Sequence, residues 1–275
     1  KLTTYVYNGD VDPSTGSVLT CAPAEAVVPS ITGGTVPIGV LCKQTEQATT
    51  DESGAAGLSP TVSGPPRTWT YTYNQYGQVL TADGPRTDVS DITTTTYYDA
   101  ADPDLGKRGH VATITNALGH VTQVTAYDLN GNPLTLIDPN GVTTTLTYDA
   151  RQRLTARQVG SETTTYTYDG VGQLTRLAFP DGRVLTYTWD AAHRLTDITD
   201  ALGNRVHYTL DAMGNRLKDE VKDPQGSLTQ IRQREYDALN RLAKDLGAQG
   251  QATLYDYDAA GNRTQVTDPL GHRTV

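Results

Sequence analysis

Carboxylates recur along this chain at a spacing that invites acid–base chemistry. Asp128, Asp149, Asp169, Asp190, Asp211, Asp237 and Asp258 follow one another at steps of 21, 20, 21, 21, 26 and 21 residues. Two carboxylates facing one substrate can divide the roles of acid and base. Each of these, however, opens a short phrase containing Gly, Asn or Arg, where an Asp side chain instead hydrogen-bonds the backbone just beyond it. They read as turn residues, and no catalytic residue is assigned among them.

The other chemistry-bearing residues give no stronger pattern. His110, His120, His193, His207 and His272 form no helical i, i+4 pair and have no neighbouring Cys, so no zinc site is expected and they read as surface or turn residues. Asp10-Val11-Asp12-Pro13-Ser14-Thr15-Gly16 is a faint likeness of a calcium loop. It lacks Gly at the sixth position and Glu at the twelfth, where Cys21 stands, so it reads as an ordinary turn. Gly170 and Gly172 do not extend to a dinucleotide fingerprint, because Thr175 stands where the third Gly belongs. Neither a Gly-x-Ser-x-Gly elbow nor a His-Glu-x-x-His pair occurs. The expectation is no metal, no cofactor and no enzyme in this segment.

What positions the Asp residues is a repeat. Tyr127-Asp128-Leu129-Asn130-Gly131, Tyr148-Asp149-Ala150-Arg151-Gln152-Arg153-Leu154 and Tyr168-Asp169-Gly170-Val171-Gly172-Gln173-Leu174 set the pattern. Trp189-Asp190, Leu210-Asp211-Ala212-Met213-Gly214, Tyr236-Asp237 and Tyr257-Asp258-Ala259-Ala260-Gly261 continue it, with an aromatic missing at Leu210. A second turn lies between them, as in Asp138-Pro139-Asn140-Gly141 and Asp200-Ala201-Leu202-Gly203. Asp first, Pro second and Gly fourth suit a type I turn with a left-handed fourth residue closing a hairpin. The step of 26 predicts a longer hairpin around residues 222 to 235. Between turns the residues alternate: Leu185, Tyr187 and Trp189 share one face, as do Tyr166 and Tyr168, with Thr165 and Thr167 opposite. Period-2 alternation with one large-residue face predicts half-buried antiparallel strands.

Two strands per unit from Arg67 onward give about eighteen, a strip of about 85 Å at the ordinary strand spacing. Open twisted sheets rarely exceed about ten strands without curling. No segment carries a helical apolar period, so no helix layer is available to cover the Tyr/Leu face. The predicted fold is therefore all-β, a long curling antiparallel β-strip of repeated hairpins. The repeated tyrosines read as structural stacking residues. An adhesion or carbohydrate-binding platform is the alternative, as is a strip that pairs with copies of itself through open strand edges.

Composition excludes several classes. The 275 residues carry 22 Lys+Arg against 31 Asp+Glu, a net charge of −9, which argues against nucleic acid as a partner. Forty-four Thr and 16 Tyr against one Phe and one Met favour strands over a Leu-packed helical bundle. No apolar run is long enough for a membrane span, and the first twenty residues lack the order of a signal peptide. The chain opens within an alternating strand at Leu2-Thr3-Thr4-Tyr5-Val6-Tyr7 and ends, through Val275, in what reads as one more repeat turn. Both ends suggest a piece of a longer protein.

The phrases Tyr-Asp-x-x-Gly-Asn/Gln-x-Leu and Asp-Pro-x-Gly, at this spacing over residues 67–275, resemble the RHS/YD-repeat family, which includes bacterial polymorphic toxins and shell components of insecticidal toxin complexes. The resemblance implies a hollow β-shell around a toxic domain of the same polypeptide. Its implied partners are the rest of that shell and the enclosed cargo, and the implied location is secreted or cell-surface. Residues 1–66 are expected to form one strand followed by an irregular Gly/Pro/Ala-rich insertion, with Tyr5 and Tyr7 matching Tyr71 and Tyr73 on its far side. Cys21 and Cys42 lie within it. Given an exported relative and a loop with little core of its own, they are expected to be bridged, closing a loop worth about 3 kcal/mol by chain-entropy arguments.

Overall fold

A computed structural model describes residues 1–31, 33–51, 53–57 and 59–274; Val275, which completes the last expected turn, lies outside the described residues. Contacts divide the chain into two units, residues 1–145 and 146–275. No helix occurs among the described residues.

The first unit begins with β1 (Leu2–Tyr7), a small hairpin of β2 (Val27–Pro29) and β3 (Thr35–Pro37), and two long strands, β4 (Leu41–Thr49) and β5 (Val62–Tyr73). It continues through β6 (Val79–Asp83), β7 (Thr93–Tyr97), β8 (Val111–Thr115), β9 (Val121–Tyr127) and β10 (Pro133–Ile137) into the start of β11 (Thr143–Tyr148). β1 pairs with β4 and β4 with β5, and from there every strand pairs antiparallel with the next.

The second unit holds β12 (Leu154–Val159), β13 (Glu162–Tyr168), β14 (Leu174–Ala178), β15 (Val184–Trp189), β16 (Leu195–Asp200) and β17 (Arg205–Leu210). After these come β18 (Arg216–Lys222), β19 (Leu228–Tyr236), β20 (Leu242–Leu246), β21 (Ala252–Tyr257), β22 (Arg263–Thr267) and β23 (Arg273–Thr274). Here too each strand pairs antiparallel with its successor. The five extra residues of the long repeat lengthen β18 and β19, to seven and nine residues.

The alternation read from sequence fixes the faces. Tyr166 lies opposite Leu177, Leu177 opposite Leu185, and Tyr187 opposite Ile198, so one face of the second unit is a ladder of large side chains. The other face is largely Thr. No second layer packs on either face among the described residues: only Val6, Ala22, Ala26, Cys42 and Val124 are buried apolar residues. The chain accordingly exposes 17055 Å², against about 11,600 Å² for a compact monomer of its mass.

The N-terminal region differs from expectation. The stretch 8–66 is not one irregular insertion: β4 and the start of β5 lie within it, and β4 stands between β1 and β5, separating the strands carrying Tyr5 and Tyr71. The alternation at Leu41–Thr49 is masked by its polar residues, Lys43, Gln44, Glu46 and Gln47. The segment 8–40 folds onto the start of β4. Asn8 Oδ1 accepts the Cys21 N–H, the Cys21 carbonyl accepts the Tyr73 N–H, and Cys21 and Cys42 form a disulfide with Cα atoms 5.5 Å apart.

The turns generate a stability prediction. Gly261 sits at φ +87° with nothing near a built Cβ, whereas Gln152, His193 and Asn240 occupy equivalent places at φ 64°, 63° and 67°. Gly261→Val should destabilise by about 1–2 kcal/mol, because the left-handed backbone at this turn strains an L side chain. An unchanged urea midpoint for the variant would overturn the turn assignment.

Candidate functional site

Each repeated Asp is the first residue of a turn that closes on itself. At Asp149 the N–H donates to the Arg153 carbonyl and the carbonyl accepts the Gln152 N–H, both at 3.0 Å. Its carboxylate Oδ1 accepts the N–H groups of Arg151 and Arg153 at 2.8 and 3.1 Å, and Oδ2 accepts Arg153 Nε at 2.8 Å. Asp190 and Asp237 hold Arg194 and Arg241 in the same way, while Asp128, Asp211 and Asp258 hold the side-chain amides of Asn132, Asn215 and Asn262. Asp169 Oδ1 accepts three backbone N–H groups, from Val171, Gly172 and Gln173. The Arg153 guanidinium beside Asp149, and the Asn215 amide beside Asp211, hold those carboxyls below the usual carboxylate range. Carboxylates bound in this way are poor proton carriers at neutral pH.

The aromatic before each Asp links one repeat to the next. A register shift falls beside it, between Thr167 and Tyr168 and between Thr188 and Trp189. Leu174 and Leu195 stand opposite the aromatics, and the following Thr hydroxyls bond back: Thr175 and Thr196 donate to the carbonyls of Thr167 and Thr188. A bulge leaves ladder groups unpaired. The next repeat's aromatic supplies a donor: Tyr168 Oη to the Leu154 carbonyl, Trp189 Nε1 to Leu174 and Tyr257 Oη to Leu242, each at 2.9 Å. The first unit uses the same bond, from Tyr127 to Val111 at 2.7 Å. Leu210 breaks the series because it carries no donor.

The seven phrases, alike in sequence, fall into two alternating kinds. Asp149, Asp190 and Asp237 are followed by Arg at the fifth position and a non-Gly residue at the fourth. Asp128, Asp169, Asp211 and Asp258 are followed by Asn or Gln at the fifth and Gly at the fourth. Each Arg reaches from its own turn to the next. Arg153, Arg194 and Arg241 donate through Nη1 to the carbonyls of Asp169, Asp211 and Asp258 at 3.3, 2.7 and 3.1 Å. Arg153 and Arg241 also lie 4.6 Å over the rings of Tyr168 and Tyr257, a cation–π contact. In the first unit His110 stacks on Tyr127 at 4.8 Å, and a Cβ at Gly131 would come within 2.8 Å of that ring, so only Gly fits.

Some charged residues group where no motif marked them. Asp197, buried among the Thr face, accepts Arg205 Nε at 2.5 Å and pairs with His207 Nδ1 at 2.7 Å. Burial pushes its carboxyl up, but those two donors outweigh burial and hold it below the usual range. Arg205 and His207 alternate along β17 opposite Asp197, which is the signal that could have found the cluster. Asp12, from the calcium-like stretch, is buried with Oδ2 on Lys43 Nζ at 2.7 Å and Oδ1 on Ser14, so an ammonium occupies the place of a cation. Among the described residues no cluster of His, Cys, Asp and Glu has metal-binding geometry, and no helix is long and apolar enough to cross a membrane. His272 pairs with Asp268 and His120 lies beside Asn116, each within its own turn, while His193 takes a turn position at positive φ.

The sequence pattern of the RHS Repeat family matches residues 127–165, 168–205, 189–228 and 236–273, together half of the chain. No curated protein matches. Among solved structures, the fold is similar to that of a TcdB2-TccC3-Cdc42 crystal structure, with a TM-score of 0.59 and 16% identity over 87% of this chain and 14% of that one. It is similar to TcdB2-TccC3 without its hypervariable C-terminal region, with a TM-score of 0.59 and 15% identity over 87% of this chain and 14% of that one. It is also similar to the Photorhabdus luminescens Tc holotoxin pore, with a TM-score of 0.52 and 16% identity over 84% and 15% of the two chains. This chain thus spans about one seventh of the length of those chains.

Two measurements probe this geometry. Tyr168→Phe keeps the ring under Arg153 but removes the donor to the Leu154 carbonyl, and should lower unfolding free energy by about 1 kcal/mol; an unchanged urea midpoint would remove the hydroxyl from the repeat-to-repeat link. The Asp12 carboxyl is lowered to about 2 from 3.8, chiefly by Lys43 and then by Ser14. Its native form is the more acidic, so its contribution is complete above the unfolded value and is lost as pH falls from about 4 towards 2. Melting temperature should therefore drop more steeply between pH 5 and pH 2 in the wild type than in Asp12→Asn.

Proposed function

Because the chain belongs to the RHS repeat family, we propose that it is a non-enzymatic wall segment of a β-shell, built to enclose a toxin or effector domain of a longer exported parent protein. The observation carrying this reading is where the repeated polar groups are committed. The Asp carboxylates close their own turns, and the aromatic donors at Tyr168, Trp189 and Tyr257 bond the preceding repeat. The conspicuous residues of the sequence are construction elements.

The mechanism is steric. Consecutive hairpins give a hydrogen-bonded barrier, because from β4 to β10 in the first unit and from β12 to β23 in the second each strand pairs with its chain neighbour. One face carries Tyr, Trp, Leu and Ile and the other mainly Thr, so a wall has two chemically different sides. The disulfide Cys21–Cys42 suits an oxidising compartment, in keeping with an exported parent. The TcdB2-TccC3 structures support the wall reading through fold similarity alone. A glycan platform is less favoured: a ring under Arg153 with its hydroxyl on a neighbouring carbonyl, as at Tyr168, has its stacking face and polar handle already in use.

Electron microscopy of the full-length parent, paired with limited proteolysis of the intact particle, tests the proposal. A closed hollow particle retaining a protected internal fragment is the expected result. An open or extended particle with every domain cleaved at the same rate would reject the enclosure.

A further inference from the structure

We propose that Asn140, in the turn between β10 and β11, is a site of spontaneous deamidation, with water as co-reactant and isoaspartate as the main product. Asn followed by Gly is open to this chemistry, because Gly has no side chain to hinder the approach of its nitrogen to the Asn carboxamide. The chain holds three such pairs, Asn8-Gly9, Asn130-Gly131 and Asn140-Gly141. In the reaction the Gly141 nitrogen gives its proton to hydroxide and attacks Asn140 Cγ. The N–Cγ bond forms, the Cγ–Nδ2 bond breaks, and the leaving nitrogen takes a proton from water and departs as ammonia. Water then opens the five-membered imide. Breaking N–Cγ gives aspartate; breaking the original peptide C–N bond gives isoaspartate, whose main chain runs through Cγ.

The structure separates the three pairs. Asn8 is fastened at both ends of its carboxamide, Oδ1 accepting the Cys21 N–H at 3.1 Å and Nδ2 donating to the Ile38 carbonyl at 3.3 Å, while the Gly9 N–H donates to the Leu19 carbonyl. Asn130 is exposed, but its turn is tied down. Asp128 Oδ1 accepts the N–H groups of Asn130 and Asn132, and Oδ2 accepts the Asn132 amide at 2.9 Å. The His110 ring covers Gly131, where a built Cβ would meet it at 2.8 Å, and Gly131 and Asn132 are half-buried. At the Asp138 turn Oδ1 likewise accepts the N–H groups of Asn140 and Val142, at 2.8 and 2.9 Å. The other ties are missing: Val142 has no side-chain amide to offer, nothing lies within 4 Å of a Cβ built on Gly141, and residues 139–142 are all exposed. Forming the imide requires the turn to open, because the Gly141 N–H is donated to the Asp138 carbonyl at 2.9 Å. A turn with fewer ties opens at lower cost. Isoaspartate there adds a carbon to the main chain of a turn whose flanking residues, Ile137 and Thr143, pair directly, and sets a second carboxylate near Asp138.

The test is incubation of the full 275-residue chain in mildly alkaline buffer, followed by digestion with a protease that cuts before Asp. Cuts at Asp10, Asp128, Asp138 and Asp149 place the three pairs in separate peptides. Mass spectrometry reads the gain of one dalton as an amide becomes a carboxyl, and an isoaspartyl methyltransferase labels the main product. Asn140 should react about tenfold faster than Asn130 or Asn8, the ratio that one or two hydrogen bonds to be broken on opening produce. Its rate should rise with pH, and in concentrated urea the three rates should converge. His110→Ala should speed Asn130 by about threefold or more and leave Asn140 unchanged. Val142→Asn, which supplies the amide that Asn132 gives to Asp128, should slow Asn140 by about threefold. An unreactive Asn140, equal rates at Asn130 and Asn140 in the folded chain, or a ranking that persists in urea each overturns the assignment. A Val142→Asn chain of wild-type melting temperature and unchanged Asn140 rate overturns the role given to the turn's ties. None of these outcomes bears on whether the parent encloses cargo.

Discussion

The structure depends on making tight strand reversals without a core to lean on. In a single-layer sheet the turn must hold its shape through its own local hydrogen bonds, because no packed layer fixes it in place. A carboxylate at the first turn position does this by accepting from the third and fifth residues at once, as Asp149 does from Arg151 and Arg153. The rest of the repeat is arranged around that geometry. The fourth residue is left-handed, the fifth supplies a cation or amide to the second carboxylate oxygen, and the strand re-enters through a bulge capped by a Thr hydroxyl.

The bulge in turn makes neighbouring repeats interdependent. A carbonyl at Leu154 is met by the hydroxyl of Tyr168, one repeat away, and Arg153 covers the ring of that same Tyr. Stability therefore accumulates through nearest-neighbour links rather than through a central core, the regime of repeat proteins in general. Alternation of Arg turns and Gly turns places an Arg link within each pair of turns: Arg194 to Asp211, then Arg241 to Asp258. A wall made in this way can be lengthened without redesigning an interior, which suits a barrier better than a pocket.

Periodicity made much of this legible in advance. Seven Tyr-Asp phrases at nearly constant steps located the turns, and Thr/Tyr alternation located the strands and their faces. The length of the hairpin around residues 222–235 followed from one irregular step. The region before Arg67 was less legible, because β4 is a strand written in polar residues: its partners on both sides and the segment 8–40 supply the burial that its own pattern does not advertise. The ion pair between Asp12 and Lys43 was equally hidden, since those residues are separated by the insertion that brings them together.

The amino-acid sequence by itself determined the class of structure, the turn chemistry and the absence of a helix layer, because all three are local: a carboxylate reaches the backbone two and four residues away, and alternation needs only adjacent residues. Tertiary structure decided which Tyr meets which carbonyl, why Arg and Gly turns alternate, and where Asp197 finds Arg205 and His207. Those contacts join residues brought side by side only when strands pair in one register. Register is set by bulges and turn lengths acting together along the strip, and no single phrase contains it.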